Sequence, residues 1–340
     1  MKHYPGYDAV KDRKVESLAE TDTPVRLDAY LASRFTYRTR TQWKKAVRSG
    51  DIEVNGTAVT QPSRMIKNGD RIVLCVLGRS EPEVDAGYTV LLEDELLLCV
   101  SKSGDIPVHP AGPYFNNTLT TLLEDDFGCR LYTVHRLDRE TSGVILFAKN
   151  PGTASRLSAG WNRTRKEYLA IVHGSFTGEI RCTVPIGPAY EPDDNRTGIV
   201  RKKRKARDGA PESADTLFSS VVAGESFSLI RAVLGTGRRH QIRVHCRYLD
   251  FPIVGDKIYG TDERLYLEFI ENGMTNSLLE RCLMPRCALH SHRLTFIHPG
   301  SEAECRVTAL LPDDMSTFMK KSGIAAIEYT SKSRSETSSF

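Results

Sequence analysis

The sequence has no long apolar run. The runs at 96–100 and 144–148 are five residues each and that at 72–77 is six, against the roughly 20 that a membrane-crossing helix needs, so no membrane-spanning protein is expected. The opening MKHYPGYDAVKDRK lacks the apolar stretch of a secretory signal, which makes a cytoplasmic location the default expectation. There is no CxxC pair among the eight cysteines (75, 99, 129, 182, 246, 282, 287, 305), and the closest two, Cys282 and Cys287, have the wrong spacing for a zinc knuckle or ribbon. A disulfide framework is unusual in a chain of this length without a secretory signal, so all eight are expected to be reduced, mostly buried thiols. Neither GxGxxG nor a P-loop occurs, and His290 and His292 stand without a third ligand. No metal and no organic cofactor is therefore expected. Net charge is also scarce: 47 Lys and Arg against 43 Asp and Glu leave +4, which does not by itself announce a nucleic-acid partner. What is present is 40% hydrophobic and 26% charged residues in 340, enough for real cores and for about two domains.

The basic charge is unevenly placed. Residues 25–77 hold ten Lys or Arg against four acids, a local +6. Phosphate binding leaves this footprint, and so does a solvated basic face. The hydrophobic pattern predicts a first helix from Arg26, with Leu27, Tyr30, Leu31 and Phe35 on one face, and a second over 42–48 with Thr41 as N-cap and Gly50 as its stop. A short strand at 51–54, an Asn55-Gly56 turn and a strand at 71–76 follow. Helix 2 then carries Arg40, Lys44, Lys45 and Arg48. The expected organisation is a polar lead over 1–23, a compact two-helix unit closed by strands over 24–77, a Gly, Pro and acid-rich linker over 78–88, a large second domain over 89–320, and a disordered tail over 321–340. The large domain reads as strand-rich, with strands near 96–102, 144–149, 168–172, 227–233 and 292–297 and helices near 153–163, 240–249 and 262–270. RKKRKAR at 201–207 reads as a basic surface loop.

Three segments insert polar residues into otherwise apolar patterns. HRLDRETSG (135–143) places Asp138 between arginines just before the strand VILFAK. A carboxylate among guanidiniums stays ionised, as a nucleophile must, although a surface ion-pair cluster has the same composition. KEYLAIVHG (166–174) puts Tyr168 on one strand face with Ala170 and Val172, a pattern that a core tyrosine also gives. TGRRHQIRVH (236–245) sets Arg243 to one side of a helix whose buried face is Ile242, Cys246 and Leu249; alone, it would equally be a phosphate patch.

In this order and at these separations, HRLDxxTSG, KxYxAxVxG and TGRxHQIRxH resemble the pseudouridine synthases of the RluA family, with further matches in FPIVGDKIYG (251–260), LHSHRLTFIHP (289–299) and DELLLCVSKSGDIPVHPAG (94–112). The resemblance covers about residues 90–312. The unit before it, RLDAYL through TRTQWKKAVRSGDIEVNG, resembles the S4 RNA-binding domain. Two departures stand out: Lys102-Ser103-Gly104 replaces the usual Lys-Pro-x-Gly, and Thr39-Arg40-Thr41 the commoner Ser-Arg-Ser. The resemblance implies an α+β fold, a small S4-like αα/β unit followed by a catalytic domain on a mixed, largely antiparallel sheet with flanking helices. It also implies a reaction on a uridine flipped out of folded RNA, with Asp138 as nucleophile, Tyr168 against the base and able to take a proton, and Arg243 paired with the aspartate. Arg136 then fills the gap left by the base, while Arg238 and His240, with Arg40, Lys44, Lys45 and Arg48 of the S4 unit, contact RNA. The implied partner is RNA, ribosomal RNA of the large subunit first and transfer RNA second, with no membrane and a monomeric chain. Two readings of other classes compete: a non-catalytic S4-bearing assembly factor, and a hydrolase using Ser142, His135 and Asp138, which lacks a GxSxG elbow.

Overall fold

A computed structural model describes residues 13–35, 39–76, 81–111, 114–189, 203–262 and 264–324. They form two compact units. One comprises the described part of Tyr4–Val84 together with Pro107–Asp126, and the other Asp85–Ile106 together with the described part of Phe127–Phe340.

The first unit contains β1 (Arg13–Leu18), β2 (Val25–Arg26), α1 (Leu27–Arg34), α2 (Arg40–Arg48), β3 (Ile52–Val54), β4 (Thr57–Val59), β5 (Met65–Ile66) and β6 (Arg71–Val76). Its four-stranded sheet runs β1-β6-β3-β4. Residues 13–18, which the sequence put in a polar lead, are therefore a sheet edge. The Asn55-Gly56 turn has positive φ at both residues (53° and 79°), the geometry that suits a two-residue hairpin. It joins β3 to β4, however, and β6 pairs with the other side of β3; a three-residue strand is too short to show in the hydrophobic pattern. Helix α2 starts two residues earlier than predicted. Its cap is Thr39, whose hydroxyl accepts the Gln42 N–H while the Gln42 side chain accepts the Thr39 N–H, a reciprocal box written in the sequence as Thr-x-x-Gln. The helix buries Trp43, Ala46 and Val47 against Leu27, Leu31 and Ile52 of the same core. Pro107–Asp126, expected in the large domain, joins this unit: Phe115 lies in its core, and the Glu81 carboxylate accepts the N–H groups of Phe115, Asn116 and Asn117. Helix α3 (Leu119–Phe127) follows.

The second unit contains β7 (Tyr88–Glu93), β8 (Leu97–Lys102), β9 (Tyr132–Thr133), β10 (Ser142–Ala148), α4 (Pro151–Gly160), β11 (Arg165–His173), β12 (Glu179–Cys182), β13 (Ile186–Pro188), β14 (Arg204–Ala206), β15 (Thr216–Ala223), β16 (Phe227–Leu234), α5 (Gln241–Tyr248), α6 (Arg264–Asn272), α7 (Asn276–Cys282), β17 (Leu289–Ile297), β18 (Glu304–Thr308) and α8 (Asp313–Lys321). A ten-stranded sheet runs β12-β15-β16-β11-β17-β10-β8-β7, with β18 beside β17 and β9 beside β10. It is mixed and largely antiparallel, as expected: among the described residues, β10 with β17 is its parallel pair. The middle strands read as continuous apolar runs because they are buried on both faces; every residue of β10 is buried.

Two features of this sheet, and a separate two-stranded sheet of β13 and β14, position the site. Gly143 has φ +104°, and a Cβ there would lie 2.2 Å from the Ser291 carbonyl oxygen, so only glycine lets β10 approach β17 at the mouth of the 135–141 loop. A register shift between Glu167 and Tyr168 in the β11–β17 pairing turns Tyr168 relative to the regular pleat. The basic segment near 201–207 is in part a strand: β14 pairs with β13, and Ala206 is buried against Val244 of α5. Arg201 and Lys202 lie outside the described residues, as do 325–340 of the expected tail. Cys99, Cys182, Cys246, Cys282 and Cys287 are buried free thiols, and Cys129 and Cys305 are half-buried.

Candidate active site

The 135–141 loop enters β10 through a turn closed by the Thr141 N–H on the Asp138 carbonyl. Asp138 then faces a cavity of about 280 Å³ whose lining includes Arg136, Tyr168, Arg238, His240 and Arg243. Residues from three separate sequence segments meet here. The walls are completed by Leu137, Leu234, Ile242 and Leu289, an apolar lining around a few convergent polar groups.

Arg243 is the centre of the electrostatics. Its Nη1 donates to Asp138 Oδ2 at 2.9 Å, and its Nε and Nη2 donate to the two oxygens of Asp256 at 2.7 and 2.8 Å. The Arg243 side chain is 7% exposed and that of Asp256 fully buried, whereas Asp138 is 26% exposed towards the cavity. One guanidinium thus bridges a sealed carboxylate and an accessible one. Burial alone would raise the Asp256 pKa, but Arg243 and the N–H groups of Tyr259 and Ile258 overcome it and hold the carboxyl at about 2. Burial likewise pulls the Asp138 carboxyl upward, while the charges of His240, Arg243 and Arg136 pull it further down, and the net is a lowered pKa. At neutral pH the guanidiniums carry that effect, because burial takes His240 itself down to about 4 and leaves it uncharged. Asp138 is therefore an ionised carboxylate, aimed by Arg243 and open to a ligand.

Tyr168 is buried in β11. Burial pushes its phenol up to about 12, the neighbouring Ser291 hydroxyl pulls it partly back, and Asp138 adds to the rise. The hydroxyl stays protonated across physiological pH, so the resting site holds a neutral phenol with a proton to donate. Arg136 and Arg238 are exposed at the cavity, and Arg238 Nε donates to the Ser213 carbonyl. His240 sits differently from an exposed RNA contact. Its ring is 9% exposed, with Nδ1 2.7 Å from the Tyr259 hydroxyl and Nε2 3.7 Å from Asp138 Oδ1.

The loops around the cavity are pinned by buried polar groups. Gln241 accepts from the Arg238 N–H and the Thr236 hydroxyl, and donates to the Asp215 carbonyl and the Thr216 hydroxyl. Lys257, 2% exposed, donates to Glu140 and to the Pro285 carbonyl, tying the 135–141 loop to the GDKIYG segment. Lys102 stands where the Lys-Ser-Gly departure was noted; it is buried and donates to the carbonyls of Ser103 and Arg139. Burial, reinforced by the charge of Arg286, lowers its amine to about 7.

Asp256, Tyr259 and Lys257 were given no role from sequence. The signal was present: Asp256 and Lys257 interrupt an apolar stretch, Ile253-Val254 before and Ile258-Tyr259 after, by the same pattern that singled out the other three segments. The hydrolase triad does not assemble. Ser142 Oγ is 3.0 Å from His290 Nδ1, while His135 accepts the Leu146 N–H and stacks on Trp161. His290 and His292 instead meet the Ala309 carbonyl, and no group of three His, Cys, Asp or Glu side chains disposed to hold a metal occurs among the described residues.

In the first unit, α2 presents Arg40, Lys45 and Arg48 outward, with Lys44 half-buried. Arg40 and Lys44 are not simply a solvated face. The fully buried Asp28 accepts from Arg40 Nε at 2.9 Å and Arg26 Nε at 3.0 Å, with Lys44 Nζ at 3.9 Å. Burial would raise the Asp28 pKa, but the hydrogen bonds from Arg40 and Arg26 more than offset this and lower it.

Comparison with known proteins finds a match for each of two parts of the chain. Residues 96–248 match the family model for RNA pseudouridylate synthase, and residues 25–72 match that for the S4 domain. The chain is 32% identical over 301 residues to the ribosomal large subunit pseudouridine synthase D of Buchnera aphidicola subsp. Baizongia pistaciae, covering 85% of this chain and 90% of that protein. It is 33% identical over 240 residues to the mitochondrial tRNA pseudouridine(32) synthase of Saccharomyces cerevisiae, covering 70% of this chain and half of the yeast protein. Among solved structures, the human RNA pseudouridylate synthase domain containing 4 superposes with a TM-score of 0.51 at 25% identity, over 68% of this chain and 92% of that one.

Proposed function

The chain belongs to the RNA pseudouridine synthases of the RluA family, which are isomerases, and from that premise we propose that it converts specific uridines of large-subunit ribosomal RNA to pseudouridine, with Asp138 as nucleophile. The observation that carries the proposal is the Asp138–Arg243 pair at 2.9 Å lining a concave cavity of about 280 Å³. A uridine paired or stacked within folded RNA reaches such a cavity only after it is flipped out. In this reading Arg136, exposed and lining the cavity, fills the vacated stack, because a planar cation suits both bases and phosphates.

The atoms balance within the substrate. The N1–C1′ bond breaks, the uracil turns, a C5–C1′ bond forms, the C5 proton leaves and N1 gains one. Asp138 acts by attack at C1′ or C6, which holds one fragment covalently until the new bond forms, or by a glycal route in which it takes the C2′ proton as the uracil leaves and returns it as the C5–C1′ bond forms. Arg243 keeps the carboxylate charged and oriented, a preorganised arrangement that needs no rearrangement at the moment of reaction. Tyr168, protonated in the resting site, contacts the base as a donor; it passes its own proton to N1 and takes the C5 proton in exchange, so the balance closes within the site. The S4 helices supply sequence-blind affinity through phosphates, leaving base choice to the cleft. The reading includes a cytoplasmic, monomeric protein that needs no metal or organic cofactor.

Ribosomal RNA is favoured because the Buchnera relative, matched over nearly its whole length, is named for the large subunit. Transfer RNA is the second reading, resting on the yeast relative. The test is to delete the gene in its host and map pseudouridines by carbodiimide-dependent reverse-transcription stops across ribosomal and transfer RNA. Stops that vanish from large-subunit RNA and return on complementation support the proposal. Loss from transfer RNA alone moves the substrate, and no change in either pool favours a non-catalytic RNA-binding protein.

A further inference from the structure

We propose that His240 is a positioning residue for Asp138, a neutral imidazole whose Nε2–H faces the Oδ1 oxygen in a tautomer fixed from behind by the Tyr259 hydroxyl. The inference rests on the function proposed above for Asp138, and it gives His240 a task other than RNA contact.

The argument begins at β14. The Arg204 backbone N–H donates to the Tyr259 oxygen at 3.0 Å, so one lone pair of that oxygen is taken. Tyr259 is 3% exposed, and its second close polar partner is His240 Nδ1 at 2.7 Å. If Nδ1 carried the imidazole proton it would donate to the phenol oxygen, and the phenol proton would be stranded without an acceptor in a buried site, a costly arrangement. With Nδ1 bare, the phenol donates to it and every group is satisfied. The imidazole proton then sits on Nε2, which lies 3.7 Å from Asp138 Oδ1. The opposite tautomer would turn a nitrogen lone pair towards a carboxylate oxygen. Both ends of the ring therefore select the same tautomer.

The two oxygens of Asp138 are consequently unlike. Oδ2 is held by Arg243 at 2.9 Å, whereas Oδ1 has a dipolar donor at a distance longer than a hydrogen bond, free to tighten when substrate enters. Oδ1 is thus the oxygen available to the ribose or the base, with His240 limiting its swing. The backbone supports a dedicated placement. His240 adopts a left-handed conformation (φ 59°, ψ 18°) at the start of α5, which costs energy for a residue with a Cβ. The groups that face the ring are Asp138, Arg243, Arg239 and Asp256, besides Tyr259. Arg243 lies 5.1 Å from the Tyr259 ring, so the phenol braces both residues that hold Asp138.

The tautomer is read directly by ¹⁵N NMR of the full-length protein labelled at histidine, with the His240 signals assigned by their absence in His240→Gln. We expect Nδ1 unprotonated and Nε2 protonated at neutral pH; the reverse pattern, or a doubly protonated ring, overturns the proposal without reference to any RNA. Turnover is followed by tritium release from [5-³H]uridine-labelled large-subunit RNA. His240→Ala should lower kcat roughly 10- to 100-fold, the scale of a misplaced reacting group, with KM for RNA within about twofold of wild type. His240→Gln, whose amide N–H reaches the position of Nε2, should recover most of the loss, and the shorter His240→Asn should not. Tyr259→Phe keeps the ring and removes the lock. It should lower kcat about fivefold, a hydrogen bond's worth, and move the acid limb of the kcat profile upward as His240 loses the donor that favours its neutral form. A raised KM with unchanged kcat in His240→Ala makes the residue an RNA contact and overturns the proposal, as does a wild-type pH profile in Tyr259→Phe. Absence of turnover by the wild-type protein would instead count against the function proposed above, while the NMR result still decides the tautomer.

Discussion

Replacing Asp256 by asparagine isolates the group that holds Arg243 from behind. Asp256 Oδ1 accepts from Arg243 Nη2, Ile258 N and Tyr259 N, and Oδ2 accepts from Arg243 Nε. An asparagine oxygen in the Oδ1 place keeps three donors, but its NH₂ then meets the Arg243 Nε–H, donor against donor. The buried guanidinium also loses its sealed counter-charge. Depression of the Asp256 pKa from 3.8 to about 2 corresponds to about 2 kcal/mol of stability. Because the folded pKa is lowered, this contribution is present above pH 4 and is lost as pH falls towards 2. A protonated Asp256 can still rotate its hydroxyl away from Arg243, whereas an amide cannot, so about 2 kcal/mol is a floor. Breaking a buried ion pair from one side costs about 3–5 kcal/mol. The protein has two tryptophans: Trp43 in the core of the first unit and Trp161 beside the core of the second. Urea unfolding of a Trp43→Phe background, followed by Trp161 emission, reports on the unit that holds Asp256. We expect Asp256→Asn to lose about 3–5 kcal/mol there and to lower kcat at least about tenfold, as Arg243 shifts towards Asp138. A loss below about 1 kcal/mol with unchanged kcat would refute the bridging role of Arg243.

Other outcomes follow from the same structure. Lys45→Gln with Arg48→Gln should weaken RNA binding and reduce the slope of log K against log salt by about 1.5, while leaving the Asp28 cluster and single-turnover rates intact; a binding titration with an unchanged slope removes α2 from the RNA interface. The full neutralisation of Arg40, Lys44 and Arg48 should weaken binding too, but also destabilise the first unit by stripping partners from the buried Asp28, seen as a fall in the Trp43 transition. The Lys102 amine, lowered by burial to about 7, binds its proton more weakly folded than unfolded. Its contribution to stability therefore rises with pH between about 7 and 10.5, by up to about 5 kcal/mol. Lys102→Met should abolish this part of the pH dependence in parallel denaturation curves, and identical slopes would show that the amine is not so perturbed. Gly143→Ala places a Cβ 2.2 Å from the Ser291 carbonyl oxygen at φ +104°; we expect no soluble protein, or a loss above about 4 kcal/mol, and near-wild-type melting would mean that β10 and β17 are not so closely apposed.

The catalytic sheet was legible because its central strands are apolar runs bounded by glycine and polar turns, as in VILFA of β10. The polar residues interrupting those runs marked Asp138, Tyr168 and Arg243, which the structure brings to one cavity. What escaped depends on partners distant in sequence. Thr57–Val59 is too short to carry a period, and β1 is polar because it is a sheet edge. Pro107–Asp126 joins the first unit through Glu81 and Phe115, contacts that no local pattern announces. The Thr39 cap, by contrast, was readable from Thr39 and Gln42 and was misplaced by two residues. His240 was recognisable as a site residue but not in its role, since the Arg204–Tyr259–His240 chain runs through segments up to 55 residues apart.

The central claim is that Asp138 performs uridine isomerisation. It is tested most directly by incubating purified wild-type and Asp138→Asn proteins with [5-³H]uridine-labelled large-subunit ribosomal RNA and measuring tritium released to water. The account predicts stoichiometric release at a small number of sites by the wild type and none by Asp138→Asn, with RNA binding retained by the variant. Release by Asp138→Asn at the wild-type rate would contradict it.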